Sequence, residues 1–366
     1  MGSISVAIPV LNGGPLLGDV LAAVAGQDDP DLAEIVVCDS GSDDGSVERA
    51  RAAGARVIGI DRRTFGHGRT RNLLMRETRG DVVAFLTQDA VPAGAGWLRA
   101  LTAPFGASDA PSRTGDDRDP DHDGARTDGG PTGVGEPGTT PPDASAATDG
   151  PARGRPDHHR VALACGPYLA RSDASIATAR ELEATFATMA GPDGAPRVYR
   201  PDELPDPLVP SAVTFHTDAN GALLRRAWER TPFRDVAYAE DQWLALDLLR
   251  AGWSRAFVPA AAVVHSHDYP PGERFRRLFD EFRALHDVYG LRTDAHPRRL
   301  LGDVRARVRA DRAWAAARGA HGGALDRVTL ASLAHHTERA AAAAAGSRAD
   351  RIPAALRRRL SRDGIA

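Results

Sequence analysis

Residues 33–46 read AEIVVCDSGSDDGS. Ala33 to Cys38 is an apolar run of strand length, rich in β-branched residues, that stops at Asp39. Small turn residues follow, and helical spacing runs from Ser46 to Ala53. The same grammar repeats on either side. Ile4 to Val10 predicts a strand, Asn12-Gly13-Gly14 a turn and Leu16 to Ala25 a helix. Downstream, Arg56 to Ile60 predicts a third strand, Arg69 to Thr78 a helix and Asp81 to Leu86 a fourth strand. Short apolar strands alternating with helices imply an α/β fold with a mostly parallel sheet. Ligands in such sheets sit beyond the carboxyl ends of the strands, so the polar residues just after each strand are the first to weigh.

Further along, Val161 to Cys165 predicts a strand and Ala174 to Met189 a helix. Phe215 to Leu224 holds a strand-turn-helix transition, and Glu240 to Ala251 is a strong helix. Phe257 to His267 predicts a strand and Phe275 to Tyr289 an amphipathic helix, before an arginine-rich helical tail. No repeat of 20–50 residues is evident.

The chain has 366 residues and a formal charge of −3, which argues against a nucleic-acid binder with a large basic face. All 46 of its cations are arginine; there is no lysine, which reads as a GC-rich codon bias. The charge is unevenly placed. Residues 106–159 carry 11 acids and 5 arginines, a balance of −6, with almost no large apolar side chain. That composition predicts a disordered insertion. Residues 291–366 hold 16 arginines against 7 acids, or +9. The domain reading is therefore a first half over 1–105, the insertion over 106–159, a second half over 160–290 and a basic helical extension over 291–366. Cys38 and Cys165 give no disulfide framework, and no secretory leader or apolar run of transmembrane length is evident. A cytosolic protein is expected, with peripheral contact at the inner face of the membrane left open by the basic tail.

Five stretches carry chemistry. At the tip of its strand Asp39 can bind the N–H of a base or a ribose hydroxyl, whereas Asp43, Asp44 and Ser46 read as a turn and helix cap. Thr87-Gln88-Asp89 follows a strand, and the Asp89 carboxylate there can hold a divalent cation against a diphosphate. In Phe65-Gly66-His67-Gly68-Arg69-Thr70-Arg71-Asn72 the glycines let the backbone approach a ligand, and Arg69 and Arg71 can meet phosphates. Glu240 and Asp241 open a helix, and their divergent directions leave one of them to act as a general base. His265 and His267 sit at a strand end with spacing that would put both on one face, able to meet one metal or phosphate, though one ligand histidine with the other structural is the preferred reading. Asp218 and Asn220 read either as an N-cap turn or as contacts near the acceptor or diphosphate. The pair His335-His336 reads as polar surface.

The segments SVAIPVLNGG, VVCDSGSDDGS, FGHGRTRN, GDVVAFLTQDAVP, HTDANGALLRRAWERTPF, AEDQWLALDLLRAGW and AAVVHSHDY, in this order, resemble the family 2 glycosyltransferases. The likeness is greatest to their bacterial rhamnosyltransferase-like branch, and it runs to about residue 269. The resemblance implies a GT-A type, Rossmann-like, mostly parallel sheet flanked by helices, here with a helical C-terminal extension. It implies inverting transfer of a sugar, rhamnose for that branch, from a nucleotide diphosphate sugar to a hydroxyl of a saccharide or lipid-linked acceptor. Asp241 would be the catalytic base. Pro9, Asp39, Arg69, Arg71, Asn72, Gln88 and Asp89 would face the donor, and Asp218, Asn220, Glu240 and Trp243 the acceptor. Asp89, His265 and His267 would hold Mg²⁺ or Mn²⁺. Thr87 departs from the family by standing where its first metal-binding acid stands. No Q-x-x-R-W motif follows Asp241, which argues for single-sugar transfer. Two other classes compete: a non-catalytic nucleotide-sugar-binding protein, and a sugar nucleotidyltransferase. The latter would want a basic glycine-rich loop where Asn12-Gly13-Gly14 has no cation.

Overall fold

Alternation along two strands sets the layers of the molecule. In β1 (Ile4–Val10), Ile4, Val6, Ile8 and Val10 face one core and Ala7 the other. In β4 (Val82–Leu86), Val82, Ala84 and Leu86 point one way, Val83 and Phe85 the other. A sheet buried on both faces needs helices on both. On one side α1 (Gly14–Ala25) and α4 (Trp97–Gly106) supply Leu17, Leu21, Trp97 and Leu101. On the other, α3 (His67–Glu77) and α7 (Glu240–Arg250) supply Leu74, Met75, Leu244 and Leu248. Each such side chain, removed from water, contributes roughly 1.5–3 kcal/mol.

The structure is a computed structural model that describes residues 2–106 and 160–362. Its central sheet has eight strands, completed by β2 (Leu32–Asp39), β3 (Arg56–Gly59), β6 (Val161–Cys165), β8 (Arg197–Tyr199), β9 (Asn220–Leu224) and β10 (Ser254–Phe257). The order is β3-β2-β1-β4-β9-β6-β10-β8. The first four strands are parallel, β9 runs antiparallel to both β4 and β6, and β10 is parallel to β6. A small second sheet joins β5 (Val91–Pro92), β11 (Val263–Val264) and β7 (Tyr168–Leu169). The expected α/β architecture is thus present.

Two expectations change. Phe257 to His267 is not one strand: β10 ends at Phe257 and β11 covers only Val263 and Val264. Pro259 has no N–H for a ladder, and Ala261 N–H turns back onto the Val258 carbonyl at 3.0 Å. Asn220 is not in a helix cap. It lies in β9, and α6 (Arg225–Arg230) starts only after that strand. The expected disordered segment 106–159 lies outside the described residues, apart from Gly106 at the end of α4.

The tail is helical as expected, with α9 (Pro297–Ala317), α10 (Gly323–Gly346) and α11 (Ala354–Leu360). Helix α10 packs on α9, on α8 (Glu273–Tyr289) and on α5 (Ile176–Ala187). Several tail arginines are used in that packing. Arg307 reaches Glu181 at 2.8 Å and Arg318 reaches Glu183 at 2.8 Å, both on α5. The pair His335-His336 is correspondingly not polar surface. His336 is 1% exposed and its Nε2 meets Asp311 at 2.7 Å, because this stretch of α10 lies against its neighbours. Among the described residues, no helix is long and apolar enough to cross a membrane.

Candidate active site

Asp39 ends β2 and Asp89 follows β4, two parallel strands flanking β1, so both acids stand at the carboxyl edge of the sheet. One oxygen of Asp39, Oδ2, accepts from the backbone N–H groups of Gly41 (2.9 Å) and Ser42 (3.1 Å). Its other oxygen, Oδ1, is buried without a hydrogen-bond partner. A buried carboxylate oxygen in that condition costs free energy until a donor reaches it. The loop opposite is closed to phosphate. The N–H groups of Asn12, Gly13 and Gly14 donate to Ser42 Oγ, Ser46 Oγ and Asp44 Oδ2 at 2.8–2.9 Å. Asp44 also accepts from Ser46 N at 3.0 Å in the turn just ahead of the next helix, the turn role expected of it.

Asp89, His265 and His267 come together, with one ligand atom from each within 4.8 Å of the others. Asp89 Oδ1 lies 3.5 Å from His265 Nδ1, and Oδ2 lies 3.1 Å from His267 Nε2. Burial alone would raise the Asp89 carboxyl. The hydrogen bond from His267 and the charges of both imidazoles outweigh it and bring it down to about 2. The cluster therefore offers an ionised oxygen and two nitrogens. Tyr168 packs edge-on against His265, with ring centroids 5.0 Å apart.

Asp241 is in the first turn of α7, half-buried, with Oδ1 accepting from Gln242 N at 2.8 Å. The residue before the helix, Ala239, takes the left-handed conformation at φ 59°, which is strained for an alanine. The strain is held by a buried network: Arg71 pairs with Glu240 and, at 3.1 Å, with Asp218, whose other oxygen meets His216 Nε2 at 3.2 Å. Burial, then the neighbouring Glu240 and Asp218 carboxylates, push the Asp241 carboxyl up to about 7, against the pull of Arg71 and His216. Burial opposes charge on His216 as well, but Asp218 and Cys165 bring its imidazole up to about 9. Tyr168 feels the charge of Asp241 and touches His265, so it bridges the two parts of the site.

The remaining expected site residues are committed elsewhere. Arg71 is enclosed by Asp218 and Glu240, which ties it to the start of α7. Asn72 accepts from Trp228 Nε1 (2.8 Å) and Phe233 N (3.1 Å) and donates to Phe233 O (2.8 Å), which ties α3 to the chain before α7. Gln88 exchanges two hydrogen bonds with the Leu11 backbone, at 2.8 and 3.1 Å. Asn220 accepts from Trp97 Nε1 (2.9 Å) and donates to Ala261 O (2.7 Å). Gly68 serves packing rather than a ligand, since a Cβ there would stand 2.0 Å from the Arg234 carbonyl oxygen. Arg69 pairs with Asp235 at the surface, at 3.3 Å. The guanidinium of Arg234 covers the Trp243 ring at 4.0 Å. Pro9 pairs with Cys38 inside the sheet. His216, Tyr168 and Arg171, whose Nη2 donates to Asp89 O at 2.5 Å, were not anticipated. The strand-end rule that singles out Asp39 also reaches Tyr168, three residues beyond Cys165.

Residues 5–129 match the family model described as Glycosyl transferase family 2. The O-antigen chain rhamnosyltransferase RfbN of Salmonella typhimurium is 26% identical over 282 residues, which cover 76% of this chain and 70% of that protein. The chain is thus similar to the family 2 glycosyltransferases, by a family model over its first third and by this relative. Among solved structures, the chain resembles the mannosyltransferase PcManGT of Pyrobaculum calidifontis, solved with GDP-Man and Mn²⁺. The TM-score is 0.52 at 18% identity, over 96% of this chain and 88% of that one. It is also similar to glucosyl-3-phosphoglycerate synthase of Mycobacterium tuberculosis, solved with UDP, at a TM-score of 0.45 and 20% identity over 80% and 82% of the two chains. The fold is of the GT-A type, and the comparisons favour neither the non-catalytic nor the nucleotidyltransferase alternative.

Proposed function

We propose that the enzyme transfers one sugar, with inversion, from a nucleoside diphosphate sugar to a hydroxyl of a saccharide or lipid-linked acceptor, with Asp241 as the base. The observation that carries this is the Asp241 carboxyl, held at about 7 at a strained helix start. An acceptor hydroxyl is a poor nucleophile at neutral pH. A carboxylate of raised pKa is a stronger base than an ordinary one and is still ionised in good part near pH 7. Asp241 takes the hydroxyl proton as the oxygen attacks the anomeric carbon, and the bond from that carbon to the diphosphate breaks on the opposite face. Asp39 receives N–H or O–H groups of the nucleoside on its open Oδ1.

Asp89, His265 and His267 fit a divalent cation: an ionised oxygen and two imidazole nitrogens, on groups already clustered. Bound there, a cation supplies charge neutralisation for the departing diphosphate. Two imidazoles favour Mn²⁺ over Mg²⁺, which prefers an all-oxygen shell. The relative RfbN supports rhamnose as the sugar.

Nucleotide release from dTDP-, UDP- and GDP-sugars, measured with Mn²⁺ or Mg²⁺ and a panel of saccharide acceptors, tests the reading. Acceptor-dependent release with one donor class is expected, greater with Mn²⁺. Full turnover by Asp241→Asn would sink the base assignment.

A further inference from the structure

We propose that Glu181, His335 and His336 form a second metal site, for a zinc-class divalent cation, that fastens α5 to α10. The three offer one ligand atom each within 4.8 Å of one another, on two helices that do not contribute to the Asp89 cluster. Glu181 Oε2 lies 4.0 Å from His335 Nε2, and Oε1 lies 3.9 Å from His336 Nδ1. A cation with ligand bonds of about 2.0–2.2 Å holds tetrahedral ligand atoms roughly 3.4 Å apart, so these groups would close by about 0.5 to 1.4 Å through side-chain rotation.

The surroundings have the character of a supported site. His336 is 1% exposed; its Nε2 is committed to Asp311 at 2.7 Å, and Asp311 is in turn held by Arg180. A carboxylate behind a histidine fixes the tautomer and leaves the other nitrogen free to ligate. That nitrogen, Nδ1, is buried with no hydrogen-bond partner and faces Glu181. Arg307 holds Glu181 Oε1 at 2.8 Å and leaves Oε2 turned toward His335. Beside His335 lies a cavity of about 310 Å³ lined also by Ser175, Ser332, Arg274 and Arg327, with room for a water as fourth ligand. Two imidazoles and one carboxylate suit zinc better than magnesium or calcium.

The test is zinc content by mass spectrometry after chelator treatment, reloading and desalting of the full chain. Wild type is expected to hold two ions, and Asp89→Ala/His267→Ala and Glu181→Gln/His335→Asn one each. The pair Glu181→Gln/His335→Asn leaves the His336–Asp311 contact in place. A second measurement avoids altering the new site: zinc at a hundredfold excess over its Kd raises the Tm of Asp89→Ala/His267→Ala by about 5 °C. If that variant binds no zinc and its Tm does not move, the cluster is an ion-pair hub and the proposal is overturned. Unchanged zinc content in folded Glu181→Gln/His335→Asn overturns it equally.

Discussion

Asp241 and Asp39 are the two side chains whose surroundings ask most of a substrate. Asp241→Asn is expected to lower kcat by about 10²–10⁴-fold, with donor affinity retained, by stopped-assay turnover alongside calorimetry of donor binding. With Asp241 in its proposed role, kcat/KM of the wild type is expected to fall tenfold per pH unit below about 7, because that carboxyl must be ionised to accept a proton. A profile flat down to pH 5 would exclude it. The same raised pKa means that the folded state binds a proton between pH 4 and 7 that the unfolded chain releases, so this group makes the fold less stable as pH rises through that window. Asp241→Asn removes the repulsion from Glu240 and Asp218 and is expected to raise the Tm at pH 8. For Asp39→Asn, one acceptor can still hold the loop at Gly41 and Ser42 while an N–H replaces the open oxygen. Donor Kd should weaken by roughly 10–100-fold, the loss of a hydrogen bond to a charged group. The places of both acids in the fold were legible in the sequence because each ends or opens an element whose periodicity is strong. The intramolecular partners of Arg71, Asn72 and Gln88 were not legible because they lie far away in the chain, at Glu240, Phe233 and Leu11.

Strands and helices were legible where burial is local and regular. Expected and observed ends of β1 coincide, and those of β3 and β4 differ by one residue. The break between β10 and β11 was missed because an apolar run hides a turn, and Pro259 was the available signal. That turn is stitched to its neighbours by Asn220, which joins β9, α4 and the Ala261 carbonyl. Asn220→Ala leaves Trp97 Nε1–H and Ala261 C=O buried and unpaired. The expected loss is about 3 kcal/mol by urea unfolding; a loss under 0.5 kcal/mol would mean water replaces the amide.

Across the whole molecule the +9 tail reads from sequence as a helical cap that leaves membrane contact open, and its packing bears on that choice. Arg180, Arg307 and Arg318 are engaged between α5 and the tail, so part of the charge secures the fold. Leu301 and Leu356, with Arg305, Arg309, Arg358 and Arg359, stay exposed. Sedimentation with vesicles rich in anionic lipid should carry the protein down at low salt and release it at 0.5 M salt; no sedimentation at low salt excludes membrane contact. The sheet order has a consequence for biosynthesis. β3-β2-β1-β4 is complete once residue 86 has left the ribosome, yet β9, which covers the open side of β4, begins only at residue 220. At typical elongation rates β4 waits as an unpaired edge for on the order of ten seconds. For that interval the nascent chain displays a template for strand addition, which makes it a natural client for ribosome-associated chaperones. A chain terminated just before β9 should accumulate as aggregate rather than as a free donor-binding half.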